Sequence, residues 1–179
     1  RYANRMSAQG FMVMGIDPGI ANVGFGAVLE QRRTPGLAGH HVVSTSPKTA
    51  HADRLYAIRH EMLAFIHRHE PQAIAIEAQY FFKQNEVAFR VGQAVGVMLL
   101  TAREAGIPVF EYGPPQVKQA VVGSGRASKA QVLYMVKALL NETRLDVPDH
   151  ASDALAIALA HLHHYRLDAQ IRTARYNTR

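Results

Sequence analysis

The sequence predicts an α/β fold with a central mixed sheet of five strands, and three observations support this prediction. Short apolar runs that end at turn residues are predicted strands, and between them apolar residues recur at the spacing of helices. The first strands follow one another closely, as in an antiparallel hairpin, whereas the later ones are separated by helices, as in parallel crossovers. With 179 residues, of which 48% are hydrophobic, the chain can bury the core of one domain.

The first part of the chain is predicted to form three antiparallel strands. Residues 11–16 are an apolar run stopped by the turn Asp17-Pro18-Gly19, and residues 23–29, rich in Gly and small apolar side chains, are its hairpin partner. Residues 31–39 hold two Arg, a Pro and two Gly, so we expect a surface connection there. A short edge strand over residues 41–44 then completes this part of the sheet.

Helices and strands alternate in the rest of the chain. The predicted elements are a helix over 52–69, a strand over 73–76, a helix over 84–105, a strand over 108–112 and helices over 117–122, 129–140 and 150–165. We expect residues 11–165 to form one domain and residues 1–10 to be a flexible extension. Residues 166–179 are predicted to be a mobile, basic tail that contacts phosphate without specificity.

Composition narrows the classes of partner and chemistry. The formal charge of +6 and the pI near 9.8 indicate a polyanion as the first partner to consider and an anionic membrane surface as the second. Because the chain has no Cys, disulfide scaffolds, Cys-based zinc sites and thiol catalysis are excluded. No apolar run approaches the length of a membrane span and residues 1–10 lack a signal-peptide core, so we expect a cytoplasmic protein.

Two acidic residues come directly after predicted strands. Asp17 follows the first strand, where it could equally begin a turn, and Glu77 follows the strand over 73–76. In open α/β sheets, ligands bind beyond the carboxyl ends of the strands. Two carboxylates placed there on separate strands favour a shared cation over a turn or surface role.

A third motif opens the last helix. His150 and Asp153 are one turn apart on the same face, whereas Asp149 is predicted to be the helix cap. The apolar, Ala-rich run that follows Asp153 must pack closely on the sheet, so we interpret Asp153 as a buried functional acid. With Asp17 and Glu77, these side chains could bind two divalent ions for phosphodiester hydrolysis, and their oxygen ligands favour Mg²⁺ or Mn²⁺.

An ordered series of motifs resembles the RuvC-type Holliday junction resolvases. The matching segments are Gly15-Ile-Asp-Pro-Gly19 with Gly24 and Gly26, Ile76-Glu77, Gly92-Gln-Ala-Val-Gly96, Val109-Phe-Glu-Tyr112, Gln116-Val-Lys-Gln119, Val121-Val-Gly-Ser-Gly125 and Ser152-Asp-Ala-Leu-Ala-Ile-Ala158. The resemblance covers residues 11–165 and implies an RNase H-like fold with helices on both faces of the sheet. It implies a crossover junction endonuclease, with catalytic acids at Asp17, Glu77 and Asp153 and the fourth site position at His150, where many members carry Asp.

The same resemblance implies partners and DNA contacts. It implies a homodimer that makes symmetric cuts in four-way junction DNA and works with the RuvA–RuvB branch-migration complex. Tyr80, with Lys83 beside it, corresponds to an aromatic position near the scissile phosphate and could instead only support its loop. Lys118, Arg126 and Lys129 correspond to basic positions on the DNA backbone, although each could be an ordinary surface charge.

Some features keep two interpretations. Gly92 and Gly96 make a flat strip that fits either a dimer contact or packing on the chain's own sheet. The cluster of His161, His163 and His164 near a helix end is predicted to be solvated rather than a ligand set. A non-catalytic four-way-junction binder and an actin-like phosphotransferase are the alternative functions. The latter needs a second such domain, and the chain has no internal repeat.

Overall fold

The computed structural model describes residues 10–78 and 86–177, with side chains described up to Leu167. Its elements, in chain order, are β1 Phe11–Asp17, β2 Asn22–Gln31, β3 Thr34–Ser44, α1 His51–His69, β4 Ala73–Glu77, α2 Glu86–Glu104, β5 Val109–Tyr112, α3 Pro114–Val122, α4 Lys129–Leu139 and α5 Asp149–Asn177. The sheet has the order β3-β2-β1-β4-β5. β1, β2 and β3 are antiparallel neighbours, while β4 pairs parallel with β1 and β5 parallel with β4. The predicted mixed five-stranded sheet is therefore confirmed.

The central strands are apolar almost throughout because helices cover both faces of the sheet. Side chains alternate along β1, so that Val13 lies in the core beneath α3, α4 and α5. Met14 and Ile16 lie in the second core, beneath α1 and α2. The sheet thus separates two apolar layers, and only the strand ends are open to polar chemistry.

The connection predicted over residues 31–39 is wrong, because most of it belongs to a long β3. β2 and β3 form a hairpin in which Gln31 pairs with Thr34 across a turn of only two residues, Arg32 and Arg33. Both turn residues have positive φ, 49° and 67°, which is typical of a type I′ turn. This turn usually contains Asn or Gly, so two Arg residues gave no hairpin signal. Pro35 is tolerated because β3 is an edge strand.

The last helix continues beyond its predicted end at residue 165, to Asn177. Arg166, assigned to the basic tail, instead pairs with the buried Glu30 at 2.6 Å and donates a hydrogen bond to the Arg33 carbonyl at 2.8 Å. It thereby ties α5 to the β2–β3 hairpin. Asp149 is the first residue of α5 rather than its cap.

The solvated interpretation of the histidines is wrong for His161, which is only 2% exposed. The Tyr112 hydroxyl hydrogen-bonds its Nδ1 at 2.8 Å, and the rings of Phe11, Phe110 and Tyr165 surround it. Burial lowers the pKa of His161 to about 4. The sequence carries no signal for this contact, because Tyr112 and His161 are 49 residues apart.

The start of α5 lies directly on the sheet because β1 and β2 present glycines to it. A Cβ at Gly15 would stand 1.9 Å from the Ala154 carbonyl oxygen, and one at Gly24 would stand 1.9 Å from that of His150. No side chain fits at either position. This close approach is what brings the first turn of α5 to the ends of the strands.

Within the described residues, no helix is both long enough and apolar enough to cross a membrane.

Candidate functional site

Two carboxylates lie side by side at one edge of the sheet. Ile16 of β1 is in register with Ile76 of the parallel β4, and Asp17 and Glu77 are the next residue on each strand. Alternation points both side chains to the α5 face, since Gly15 contacts α5 and Ala75 lies in the core beneath it. The register therefore places Asp17 and Glu77 next to each other at the carboxyl ends of adjacent strands.

The first turn of α5 brings a histidine to this edge. His150 Nδ1 lies 2.7 Å from Asp17 Oδ2, although the two residues are 133 positions apart. Because an ionised carboxylate only accepts, His150 donates this hydrogen bond from Nδ1, and the lone pair of the neutral ring is then on Nε2. A carboxylate that orients a histidine in this way leaves Nε2 for a metal ion.

Asp17 lies in an electrostatic environment that an added cation would improve. Its side chain is only 13% exposed, and burial raises its pKa. The hydrogen bond from His150 lowers the pKa, the neighbouring Asp153 carboxylate raises it and the Lys129 charge lowers it. The effect of Asp153 on the pKa of Asp17 indicates that the two carboxylates are close enough to repel each other.

Asp153 is partly exposed, 34%, rather than buried as predicted, and has a lysine as its partner. Lys129, the first residue of α4, places Nζ 3.1 Å from Asp153 Oδ2. The hydrogen bond and the charge of Asp153 raise the pKa of Lys129, with smaller contributions from Asp149 and Asp17. Sequence reasoning found Lys129 only as a DNA-binding candidate and missed this pairing, since 24 residues separate it from Asp153.

The donor set fits a divalent metal ion in its chemistry. Asp17, Glu77 and Asp153 supply carboxylate oxygens and His150 supplies an imidazole nitrogen, which are ligands for Mg²⁺ or Mn²⁺. Among the described residues, however, no three acidic or histidine side chains already converge closely enough to hold an ion. The metal-free arrangement is instead two pairs, His150 with Asp17 and Lys129 with Asp153. Metal binding therefore requires these side chains to move closer together.

The structure describes three of the five predicted DNA-binding residues. Tyr80 and Lys83 lie outside the described residues, so their roles stay predictions. Lys118 lies on α3, and the exposed Arg126 lies in the loop that joins α3 to α4. Arg126 is therefore only three residues before Lys129, which contacts Asp153 at the site.

An exposed apolar strip runs along α2. Phe89 is 69% exposed and Leu100 is 57% exposed, and Gly92 and Gly96 lie between them on the same face. Both glycines are exposed, and a Cβ at Gly96 would meet nothing within 4 Å. The interpretation in which this glycine strip packs on the chain's own sheet is therefore wrong.

Comparison with known proteins gives one consistent result. The sequence model of the family described as crossover junction endodeoxyribonuclease RuvC matches residues 13–161. A protein of that description from Pelotomaculum thermopropionicum is 44% identical over 161 residues, which cover 90% of this chain and 98% of the relative. The RuvC structure from Thermus thermophilus in complex with a Holliday junction substrate is 43% identical, with a TM-score of 0.83 over 88% of this chain and 96% of that one. The yeast mitochondrial Holliday junction resolvase, 15% identical with a TM-score of 0.60, shares the fold.

Proposed function

The chain belongs to the RuvC family of crossover junction endodeoxyribonucleases, metal-dependent enzymes that resolve Holliday junctions, and we propose that Asp17, Glu77, His150 and Asp153 are its catalytic site. The observation that supports this assignment best is the geometry at the sheet edge. Asp17 and Glu77 end adjacent parallel strands, and the first turn of α5 places His150 2.7 Å from Asp17. Three carboxylates and an imidazole, from β1, β4 and the start of α5, are thus brought to the same edge of the sheet.

The cofactor in this proposal is a pair of divalent ions, Mg²⁺ or Mn²⁺. When bound, such ions stabilise the negative charge that develops on the phosphate and lower the pKa of the attacking water. Asp17 and Glu77 hold their carboxylates on rigid strands, so little ordering is needed to present them. Asp17 also orients the His150 ring through Nδ1, and Asp153 supplies an oxygen once Lys129 leaves it.

The substrate in this proposal is four-way junction DNA, as in the Thermus thermophilus complex. Phosphate contacts need basic side chains, and the net charge of +6 agrees with such a partner. We assign these contacts to Lys118, Arg126 and Lys129, with Tyr80 and Lys83 as further candidates beyond the described residues.

Resolution requires two cuts, so we propose that the enzyme acts as a homodimer. In this proposal the α2 strip contacts the same strip of a second copy, because the exposed Gly92 and Gly96 carry no side chain that would keep two helices apart between Phe89 and Leu100. A RuvA–RuvB branch-migration complex is the proposed functional partner. The cytoplasmic location expected from the sequence stays a prediction.

One assay tests this function against its alternatives. The full chain is incubated with end-labelled four-way junctions and with linear duplexes of the same sequences, in Mg²⁺, Mn²⁺ or EDTA. Paired, symmetric nicks in the junction alone, absent in EDTA, are the expected result. Junction binding without cleavage in either metal would instead support a non-catalytic binder, and equal cutting of both DNAs would contradict junction selectivity.

A further inference from the structure

Lys129 occupies a position that the stability of its own helix does not explain. It is the first residue of α4, where the positive end of the helix dipole disfavours a cation. The cap there is complete without it, because Ser128 Oγ accepts a hydrogen bond from the Gln131 backbone N–H and Gln131 Oε1 accepts one from the Ser128 backbone N–H. Lys137, in the last turn of the same helix, has the position that the dipole favours.

The pair that Lys129 makes is easily exchanged. Its side chain is 74% exposed and that of Asp153 is 34% exposed, so the 3.1 Å contact is a weak, solvent-screened ion pair. The lysine ammonium is a point charge on a flexible stem and can rotate to another acceptor without moving the helix. The contact is therefore not needed to hold α4 against α5, which are packed by apolar side chains.

The charges around Lys129 are those that attract a metal ion. Its ammonium interacts with Asp153 first, and more weakly with Asp149 and Asp17. It is the one basic group paired with Asp153 among the described residues. A divalent cation that takes an oxygen of Asp153 must therefore displace the ammonium, or bind against its repulsion.

We propose that Lys129 is a built-in competitor of the metal ion for Asp153: it neutralises the carboxylate in the metal-free enzyme and, once displaced, moves to an oxygen of the DNA phosphate. This inference rests on the proposed metal site. In this proposal metal binding and DNA binding are coupled, because the ion that binds Asp153 releases Lys129 to contact DNA. In the metal-free enzyme the lysine thereby weakens the repulsion between Asp153 and Asp17, and phosphate gains a cation only after the metal has bound.

The test is a titration of the full chain with Mn²⁺ in the absence of DNA. The electron paramagnetic resonance signal of free Mn²⁺ measures how much of the ion is bound. Lys129→Met removes the charge at nearly constant length, and we expect it to bind Mn²⁺ about threefold to tenfold more tightly than wild type. Lys137→Met loses the same charge about 12 Å further along α4 and should stay close to wild type. Lys129→Arg, which keeps the charge, should not bind more tightly than wild type.

The controls separate this proposal from the site assignment. Asp153→Asn must weaken Mn²⁺ binding if Asp153 is a ligand; unchanged binding there would overturn the proposed site itself. If Asp153→Asn weakens binding while Lys129→Met binds no more tightly than wild type, the site stands and competition by Lys129 is overturned. Equal tightening in Lys137→Met would show a general charge effect and would also overturn it.

A second measurement tests the move to phosphate. In a Glu77→Gln background, which we expect to leave the junction uncut, junction affinity is measured against salt with and without Mn²⁺. Lys129→Met should reduce the salt slope by about one in Mn²⁺ and leave it nearly unchanged without metal. The same reduction in both conditions would mean that Lys129 contacts phosphate regardless of the ion, which contradicts the exchange.

Discussion

At the scale of single residues, the candidate site is defined by how its carboxylates are balanced without metal. Asp17 is held almost out of solvent, with 13% of its side chain exposed, while its partner His150 is 44% exposed. A buried carboxylate is costly unless it is paired, and one hydrogen bond from a ring nitrogen is a modest compensation. The position thus retains a strong preference for a cation, which is the property a metal ligand needs.

Asp17→Asn separates chemistry from DNA binding. The amide has nearly the same shape but no charge, so metal binding and cleavage should fail, with a rate at least about 100-fold below wild type. Junction affinity in a gel-shift assay should be kept or improved, because a negative charge near phosphate is gone. The matched control is Asp146→Asn, which changes an exposed acid in the loop before α5. Cleavage by Asp17→Asn at near the wild-type rate would contradict the assignment.

His150→Asp tests whether the imidazole is a ligand. Mg²⁺ strongly prefers oxygen, whereas Mn²⁺ accepts imidazole readily, so the wild-type site should need more Mg²⁺ than Mn²⁺. With Asp at this position we expect the half-saturating Mg²⁺ concentration for cleavage to fall by about threefold to tenfold relative to that for Mn²⁺. Titration of both metals with one junction gives this ratio. An unchanged ratio would remove His150 from the ligand set and leave Asp149 as the next candidate.

At the scale of elements, α5 is the helix that carries half of the site, and its seat on β1 and β2 depends on glycine. Gly24→Ala would place a methyl group 1.9 Å from the His150 carbonyl oxygen, so α5 must shift at the residue that contacts Asp17. We expect a loss of roughly 2–4 kcal/mol in the free energy of unfolding, measured with urea, together with reduced cleavage. Gly36→Ala is the control, since its nearest neighbour would be 3.8 Å away. Equal stability of the two variants would contradict the close packing.

The aromatic cluster between β5 and α5 gives the fold a pH dependence. The pKa of His161 is lowered to about 4 in the folded protein, from 6.5 when the chain is unfolded. Between pH 6.5 and pH 4, His161 is protonated in the unfolded chain but stays neutral in the folded protein. The free energy of unfolding therefore falls as pH decreases and levels off below pH 4. The full effect is about 3 kcal/mol.

Urea unfolding at pH 7, 6 and 5 measures this effect. His161→Phe removes the titrating group within an aromatic environment, and its stability should fall less steeply with pH than that of wild type. His163→Gln, next to it but exposed, should keep the wild-type slope. If His161→Phe and wild type lose stability in parallel, the buried neutral histidine is not the cause.

The sequence predicts features that depend on neighbouring residues, but not contacts between residues far apart in the chain. Asp17 and Glu77 were found because each ends an apolar strand, and parallel pairing then places them together. The two-residue turn at Arg32 and Arg33 was missed because its usual residues are absent. The contacts of Lys129 with Asp153 and of Tyr112 with His161 were missed because they join separate elements, and nothing in local composition reports them.

At the scale of the whole molecule, the two faces of the sheet differ in the side chains that they expose. The α5 face carries the carboxylates and the basic residues of α3 and α4, whereas the α1 and α2 face carries the exposed apolar strip. An exposed strip of this kind on a single helix is typical of an interface between chains. In the proposed homodimer, contact through α2 would leave the candidate site of each protomer open.

Phe89→Asp tests whether that strip joins two copies. A carboxylate at a position that is 69% exposed in the single chain should not disturb folding, but in a dimer contact it would be buried without a partner. Sedimentation at micromolar concentration should therefore show a dimer for wild type and a monomer for Phe89→Asp, with paired cutting of the junction lost. Tyr134→Asp is the matched control, because Tyr134 is an equally exposed aromatic, 71%, on α4 at the other face of the sheet. It should remain a dimer. A dimeric Phe89→Asp would exclude this strip as the contact, and Leu100→Asp then decides whether the far end of α2 contributes at all.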